Sequence, residues 1–534
     1  MVKKLVILIL VLPLLACAAE YTSTQSGMFD DVATWGGSGA PTSSGDSWTI
    51  SSGHTVYYDY DNSSHANGWG ASVVNGTLQM LNSLGPVYLK MNGNISGTGE
   101  FLVGAENDVI TNYNHLPRVT ICFKSGRITM SKRGGIKWYG ATNGFHGAIT
   151  NTVSVSGDRT NLFFLDDVVG VESNDVVFVD NHNIRNAGGS VHVVYSVATN
   201  RITLFDSIVD GAAVVTNYYP GISFTGGITT NDRTNGTTVT KLSRPVVVMQ
   251  NPKINATAIL DSLDEGYVQG MAVVNTGYGF LSGRAFWSFE SWSGVGCSGA
   301  SLAYGTSLGT IRNSVSYSAT GTIPIANDSV GCTISNSIGA SANLVANMYD
   351  STIIASKGIN VQYGAIGINC YSTTFEHCHA MNADVALYGL RSCNVRDCTA
   401  GNVNYLLRLS VVDANNFWAT NTTYLGNRVF GSIAGGENRS LSSVDFARSS
   451  TRDTLRYNGT NFIGITGYTY GTNVACPGSE WCYTTAPAYT NQPVASWHEV
   501  GLKASATREI PVRFFATNNV GYAYGVSPAG VPPI

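Results

Sequence analysis

Along most of this chain, apolar and polar residues alternate in short runs rather than recurring every third or fourth position. Trp48-Thr49-Ile50, Thr55-Val56-Tyr57-Tyr58 and Glu509-Ile510-Pro511-Val512-Arg513-Phe514 are examples, separated by clusters of Gly, Asn and Ser. Such alternation predicts many short strands, and helical periodicity is nearly absent beyond the first twenty residues. A five-residue pattern recurs through the middle. It reads Thr310-Ile311-Arg312-Asn313-Ser314, Thr333-Ile334-Ser335-Asn336-Ser337 and Thr352-Ile353-Ile354-Ala355-Ser356. It continues as Thr374-Phe375-Glu376-His377-Cys378, Asn394-Val395-Arg396-Asp397-Cys398 and Asn416-Phe417-Trp418-Ala419-Thr420, with starts 23, 19, 22, 20 and 22 residues apart. One hydrophobe followed by a small polar turn residue, at a period near 20, predicts solenoid coils that bury their inward side chains only by stacking.

The repeat resembles the right-handed parallel β-helix of the pectin-lyase-like proteins over roughly residues 255–424. The implied fold class is all-β: a solenoid with an inserted β module and a small C-terminal β domain. Residues 20–140 resemble the extracellular domain named for its eight glycines, through Thr34-Trp35-Gly36-Gly37, Gly45-Asp46-Ser47-Trp48-Thr49-Ile50, Gly53-His54-Thr55-Val56 and Asn75-Gly76-Thr77-Leu78. That resemblance implies a separate domain capping the solenoid. Residues 141–254 read as the inserted module, through Asn174-Asp175-Val176-Val177-Phe178-Val179 and Val193-Val194-Tyr195-Ser196-Val197. Residues 425–534 read as the C-terminal domain.

Composition narrows the function. Only 12% of the 534 residues are charged, against roughly 25% in an ordinary soluble chain. With 43% hydrophobic residues, 60 glycines and 15 prolines, neither a disordered chain nor a coiled coil fits. A net charge of −4 without a basic run leaves no electrostatic footprint for nucleic acid. At the N-terminus, Lys3 and Lys4 precede the apolar run Leu5–Leu15 and the small residues Ala16-Cys17-Ala18-Ala19. This reads as a secretory signal of residues 1–19, too short for a membrane span. Leu14-Leu15-Ala16-Cys17 resembles a bacterial lipobox, which implies lipidation of Cys17. Ordinary cleavage after Ala18 or Ala19 is the alternative. The expected location is therefore secreted or at the outer cell surface, touching membrane only through such an anchor.

Secretion permits disulfides. Cys476 and Cys482 enclose a short loop with Pro477-Gly478 and are the expected bridge. Cys378 and Cys398 occupy one repeat position in adjacent coils, about 4.8 Å apart at strand spacing, but their parallel side chains disfavour a bond. Cys332 and Cys393 stand three coils apart, so stacked free thiols are expected. Cys370, His377, Cys378, His379, Cys393 and Cys398 invite a zinc reading, yet their spacing fits no zinc pattern, and no metal site is expected there. Asp59, Asp61 and Asn62 offer oxygen ligands suited to calcium without the spacing of a known loop; no other cofactor is implied. Asp166-Asp167 reads as a solvated loop rather than a glycosidase pair, and His54 as a turn or surface residue.

If the second pentad position is buried, the third faces outward. It holds Arg312, Ser335, Ile354, Glu376, Arg396 and Trp418, of which Glu376, Arg396 and Trp418 are the candidate substrate contacts. The resemblance implies that such a flank grips polysaccharide. Mutual neutralisation of Glu376 and Arg396 on a solvated surface is the bland alternative. Two functions follow: a secreted or lipid-anchored surface protein binding extracellular polysaccharide or cell-surface glycan, or a polysaccharide lyase or glycoside hydrolase on the same scaffold. The Asn-x-Asp, Asp-Asp, Gly-His-Gly and Arg-x-Lys set of polygalacturonases is absent as a set, as are the pectate-lyase motifs, so catalytic residues are not assigned. The glycine-rich region also resembles part of a cell-surface hyaluronidase. A phage tailspike shares the fold, but the signal-like N-terminus points away from one.

Overall fold

The computed structural model describes residues 18–180, 190–205 and 237–408 with short gaps, and backbone strands alone in parts of 411–516. Cys17, Cys476 and Cys482 lie outside the described residues. The fold is all-β, a parallel β-helix in which three strands per coil build three parallel ladders. The first sheet stacks Glu20–Thr22 on Ser47–Ile50 and runs down to Gly367–Ile368 and Leu387-Tyr388. The second runs from Gly27–Met28 through Trp287–Glu290, Thr310–Arg312, Thr333–Ser335, Thr352–Ile354 and Thr374–Glu376 to Arg391–Arg396. The third runs from Val87–Asn92 through Ser293–Val295, Val315–Tyr317, Ile338–Ala340 and Lys357–Ile359 to His379–Tyr388 and Thr399–Arg408.

The core is one continuous column because register stacks like on like. Val268, Phe289, Ile311, Ile334, Ile353, Phe375 and Val395 sit above one another in the second sheet, each buried. The inward column of the third sheet is small instead: Ser316, Gly339, Gly358, Ala380 and Ala400. A Cβ on Gly358 would meet the Ala365 carbonyl oxygen at 1.9 Å, so that coil admits only a hydrogen there. Part of the glycine excess is therefore structural.

Corners carry the rest of the pattern. Between the second and third sheets each coil turns on one left-handed residue: Ser291, Asn313, Asn336, Ala355, His377 and Asp397, with φ between 47° and 52°. Asn and Asp tolerate that region better than other non-glycine residues. The next residue points inward and stacks. Ser337 Oγ accepts from Ser314 N at 3.2 Å and donates to Ser335 O at 2.8 Å, and Ser356 Oγ accepts from Ser337 N at 3.1 Å. Cys378 and Cys398 continue this ladder as buried free thiols, joined elsewhere in the column by Cys297, Cys332, Cys370 and Cys393. Burial pushes the Cys370 thiol up to about 12.

Direct pairing of Val119–Ser125 with Val246–Gln250, and of Ile128–Met130 with Ala258–Ser262, joins the coils on either side of residues 140–245. Strands from residue 20 onward thus belong to the same solenoid, where the sequence reading placed a separate domain as far as 140 and began the coils at 255. Between the strands Ile136–Tyr139 and Val246–Gln250, where other coils have a single corner residue, the chain grows a closed six-stranded barrel of residues 146–241. Its strand Val176–Val179 packs Val177 and Val179 into the barrel. Val176 and Phe178 instead lie against the outer face of the third sheet, with Phe178 and Tyr317 rings 5.4 Å apart. The junction is also polar. Asp180 accepts from Asn360 and Asn382 side-chain amides at 2.5 and 3.0 Å. Lys241 Nζ lies 2.8 Å from Asp175 with both side chains buried.

Candidate functional site: the outer face of the second sheet

The barrel covers the outer face of the third sheet, whereas the outer face of the second stays in solvent. Period-two alternation puts two columns on it. One is a hydroxyl ladder of Ser288, Thr310, Thr333, Thr352 and Thr374, with Thr310 Oγ1 donating to Ser288 Oγ at 3.2 Å. The other holds Gln269, Glu290, Arg312, Ser335, Ile354, Glu376 and Arg396 in direct register. Five of the six residues in the expected flank therefore align.

Trp418 does not. Arg396 pairs with Asn415, whereas Trp418 pairs with Thr399 on the third sheet, so the proposed stripe ends without it. The coil after Asn394 is shorter than assumed, because Asn394 registers with Asp413 rather than Asn416. Asn416 thereby falls one place beyond the partner of Arg396, where the previous coil has its corner Asp397. An Asn suits either position, and this misled the sequence reading.

Glu376 and Arg396 are neighbours in register, yet they form no ion pair among the described residues. Glu376 instead has His377 Nε2 at 3.6 Å from its Oε1, both side chains exposed. Arg312 and Arg396 are exposed and likewise free of ion pairs among the described residues. Charges held apart in this way remain available to a ligand.

Aromatic rings border the face. Where the first sheet turns into the second, Ser307, Val330, Tyr349, Tyr371 and Arg391 bridge from coil to coil. Tyr349 and Tyr371 are 44% and 47% exposed, with rings 6.5 Å apart. Tyr363 and Tyr388 make a second pair at 5.5 Å on the adjoining flank. The pentad pattern does not include these tyrosines, although Val330, Tyr349, Tyr371 and Arg391 each stand three residues before a pentad.

At the upper end, Glu106, Val109, Tyr139, Tyr267 and Gln269 line a depression of about 380 Å³, its two tyrosine rings 5.2 Å apart. Burial raises the Tyr267 phenol above its ordinary range, the negative charges of Glu290 and Glu106 adding to it and Arg312 opposing. Two carboxylates and an arginine thus act on one phenol. Glu290 and Glu376, by contrast, are four coils apart, about 19 Å at strand spacing, beyond the separation of a glycosidase pair.

Around the corner lies a cleft of about 310 Å³ between barrel and solenoid, lined by Thr142, His146, Lys241, Arg244, Asn313 and Asn336 among others. Asn313 Nδ2 lies 3.4 Å from Glu290 Oε1, so cleft and sheet face share an edge.

The remaining candidates resolve differently. Cys378 and Cys398 point into the column, His377 into solvent and His379 toward the barrel, so the Cys/His group is dispersed. No cluster of three His, Cys, Asp or Glu positioned for a metal occurs among the described residues. Asn62 is buried and exchanges hydrogen bonds with the Lys90 backbone at 2.6 and 2.9 Å, while Asp61 accepts from Ser63 N. Burial and the nearby Asp30 raise the Asp59 carboxyl. His54 Nδ1 lies 2.9 Å from Ser23 Oγ. Asp166 and Asp167 are exposed on a barrel loop. No helix among the described residues is long and apolar enough to cross a membrane.

No family model matches the chain, and no curated protein matches it. Among solved structures it is similar to the tailspike protein gp49 of Pseudomonas phage LKA1, at 12% identity and a TM-score of 0.31, over 81% of this chain and 90% of that one. It is also similar to the gp54 tailspike of Acinetobacter baumannii bacteriophage AP22, solved in complex with A. baumannii capsular saccharide. That match has 9% identity and a TM-score of 0.23, over 84% and 89% of the two chains. A glycoside hydrolase is similar at 9% identity and a TM-score of 0.16, over 75% and 96%. The parallel β-helix itself rests on the strand ladders.

Proposed function

We propose that this chain is a secreted or lipid-anchored bacterial surface protein that binds extracellular polysaccharide along the exposed face of its second sheet. The observation that carries the reading is one surface combining a coil-to-coil hydroxyl ladder, arginines with no ion pair among the described residues, and exposed tyrosines. Tyrosine offers an apolar ring and a polar tip together, which suits the mixed surface of a sugar. Hydroxyls and guanidinium groups repeated once per coil suit a polymer with a repeating unit. A glycan array should show binding that Tyr371→Ala and Arg396→Ala each weaken severalfold. Binding unchanged in both variants would sink the assignment.

A second reading is favoured by one feature: Glu106 lines the upper depression, and the charge of Glu290, one coil along from Gln269, also acts on its Tyr267. A carboxylate pair there could serve polysaccharide cleavage. Incubation with uronic-acid and neutral polysaccharides tests it: product release abolished by Glu290→Gln supports catalysis, and release that persists in that variant excludes this pair. Palmitate labelling addresses the anchor, since no incorporation at Cys17 means that the leader is simply removed.

A further inference from the structure

On the outer face of the third sheet, Val315 and Ile338 are followed in register by Lys357, His379 and Thr399. Lys357 and His379 are neighbours in adjacent coils, so their Cα atoms stand about 4.8 Å apart. From the barrel, His146 approaches the same place, lining one cleft with Ile338, the register partner of Lys357. Its Nδ1 is held by Thr240 Oγ1 at 2.8 Å, and Nδ1 of His379 by Thr399 Oγ1 at 2.5 Å. The two imidazoles are thus fixed at one nitrogen, and neither Nε2 has a protein partner among the described residues. The Lys357 ammonium likewise has neither hydrogen bond nor ion pair among the described residues.

Three basic groups converge, and none of them forms an ion pair with an acid among the described residues; the nearest barrel carboxylate in these coils, Asp180, is taken up by the Asn360 and Asn382 amides. The neighbouring cations are otherwise engaged: Lys241 with Asp175 at 2.8 Å, and Arg244 with the Ser291 carbonyl at 2.7 Å. Glu376, close in sequence, faces the second sheet and contacts His377. We propose that His146, Lys357 and His379 form a subsite for an anionic substituent, a carboxylate or sulfate, of an acidic polysaccharide. The inference rests on the glycan-binding reading and narrows its substrate class.

Electrostatics agree with the geometry. Burial, with Lys357 and His379 adding, lowers His146 to about 3, and burial, with Lys357 adding, lowers His379 to about 4. Burial also lowers Lys357. An arriving anion would reverse these pressures, because an opposite charge favours the protonated form. Binding should therefore take up protons. The cleft lined by His146, Arg244, Asn313 and Asn336 joins this place to the second-sheet face, so one polymer can lie on the face and turn a charged substituent toward the barrel.

Two measurements separate this inference from the function beneath it. Titration of the His146 and His379 ring resonances by NMR, with inorganic sulfate and with sodium glucuronate as probes, should show both pKa values rising. Lys357→Met should abolish the rise. Resonances indifferent to both probes overturn the subsite. On a glycan array, acidic polysaccharides should be retained about tenfold or more above their carboxyl-reduced or desulfated forms, the scale of one charged hydrogen bond. Whichever treatment removes the preference names the anion. Lys357→Met and His379→Gln should erase the preference while neutral binding persists. Equal binding of native and neutralised polymers overturns the subsite and leaves the glycan reading standing. Histidine shifts with sulfate but no retained glycan would support an anion site and overturn the glycan reading.

Discussion

The Lys241–Asp175 pair at the base of the barrel allows a prediction with a magnitude. Lys241 Nζ lies 2.8 Å from Asp175, the two side chains are 4% and 0% exposed, and Lys241 also donates to the Gly170 carbonyl at 2.8 Å. Asp175 further accepts from Ser243 Oγ at 2.5 Å and from Glu172 N at 2.7 Å. Lys241→Met removes the only counter-charge in this set and strands a buried carboxylate, which costs about 3–5 kcal/mol. In Lys241→Met/Asp175→Asn no charge remains to strand. The amide keeps one of the two accepted hydrogen bonds, so the double variant should lose only about 1–2 kcal/mol. The coupling between the sites is then about 2 kcal/mol or more, measurable as a double-mutant cycle. Thermal unfolding followed by circular dichroism gives the readout. A unit of barrel size shifts by roughly 4–8 °C per kcal/mol, so Lys241→Met should melt about 12 °C or more below wild type, with the double variant in between. A single variant within about 1 kcal/mol of wild type would refute the reasoning, as would a double variant no more stable than the single.

Two further outcomes are expected. His146 and His379 have folded values of about 3 and about 4, below the ordinary 6.5, so the unfolded chain binds more protons and stability rises with pH across that interval. Going from pH 7 to 4 should cost roughly 3 kcal/mol through His379 and a similar amount through His146, so the fall in urea midpoint should be roughly halved in His379→Gln; a fall as steep as in wild type would refute the source. Ala355 holds a left-handed corner at φ 48° where the neighbouring coil has Asn336; Ala355→Asn should raise the urea midpoint by an amount equivalent to about 0.5–1 kcal/mol, and an unchanged or lower midpoint would count against corner strain.

The solenoid was legible because each coil writes the same sentence: a hydrophobe such as Ile334, a left-handed Asn such as Asn336, and a stacking Ser such as Ser337. Stacking makes the period visible, since a coil that changes its inward residue disturbs its neighbours above and below. The first coils were harder to read. Their inward residues vary (Val56, Leu78, Phe101 and Ile136 in successive coils) and the long barrel insertion separates them from the rest. Of the site, the ladder through Glu376 and Arg396 could be read from spacing, whereas the barrel's place could not. Nothing local in Gly140 or Arg244 announces that the chain between them folds back over Val315 and Ile338. The convergence of His146 on Lys357 and His379 is tertiary in origin and has no signature in any one segment.

One column of the third sheet has a use as a ruler. Its outward residues run Ala272, Ser293, Val315 and Ile338, then change to Lys357, His379 and Thr399. The barrel spans both stretches, packing Phe178 near Tyr317 and bonding Asp180 to Asn360 and Asn382 in the coils of Lys357 and His379, so the solenoid carries an imprint of its passenger's footprint, apolar at one end and polar at the other. A transplanted or redesigned barrel would have to match that imprint coil for coil. In any related chain, the step from greasy to basic along this line would tell which way round a passenger sits before its own fold is known.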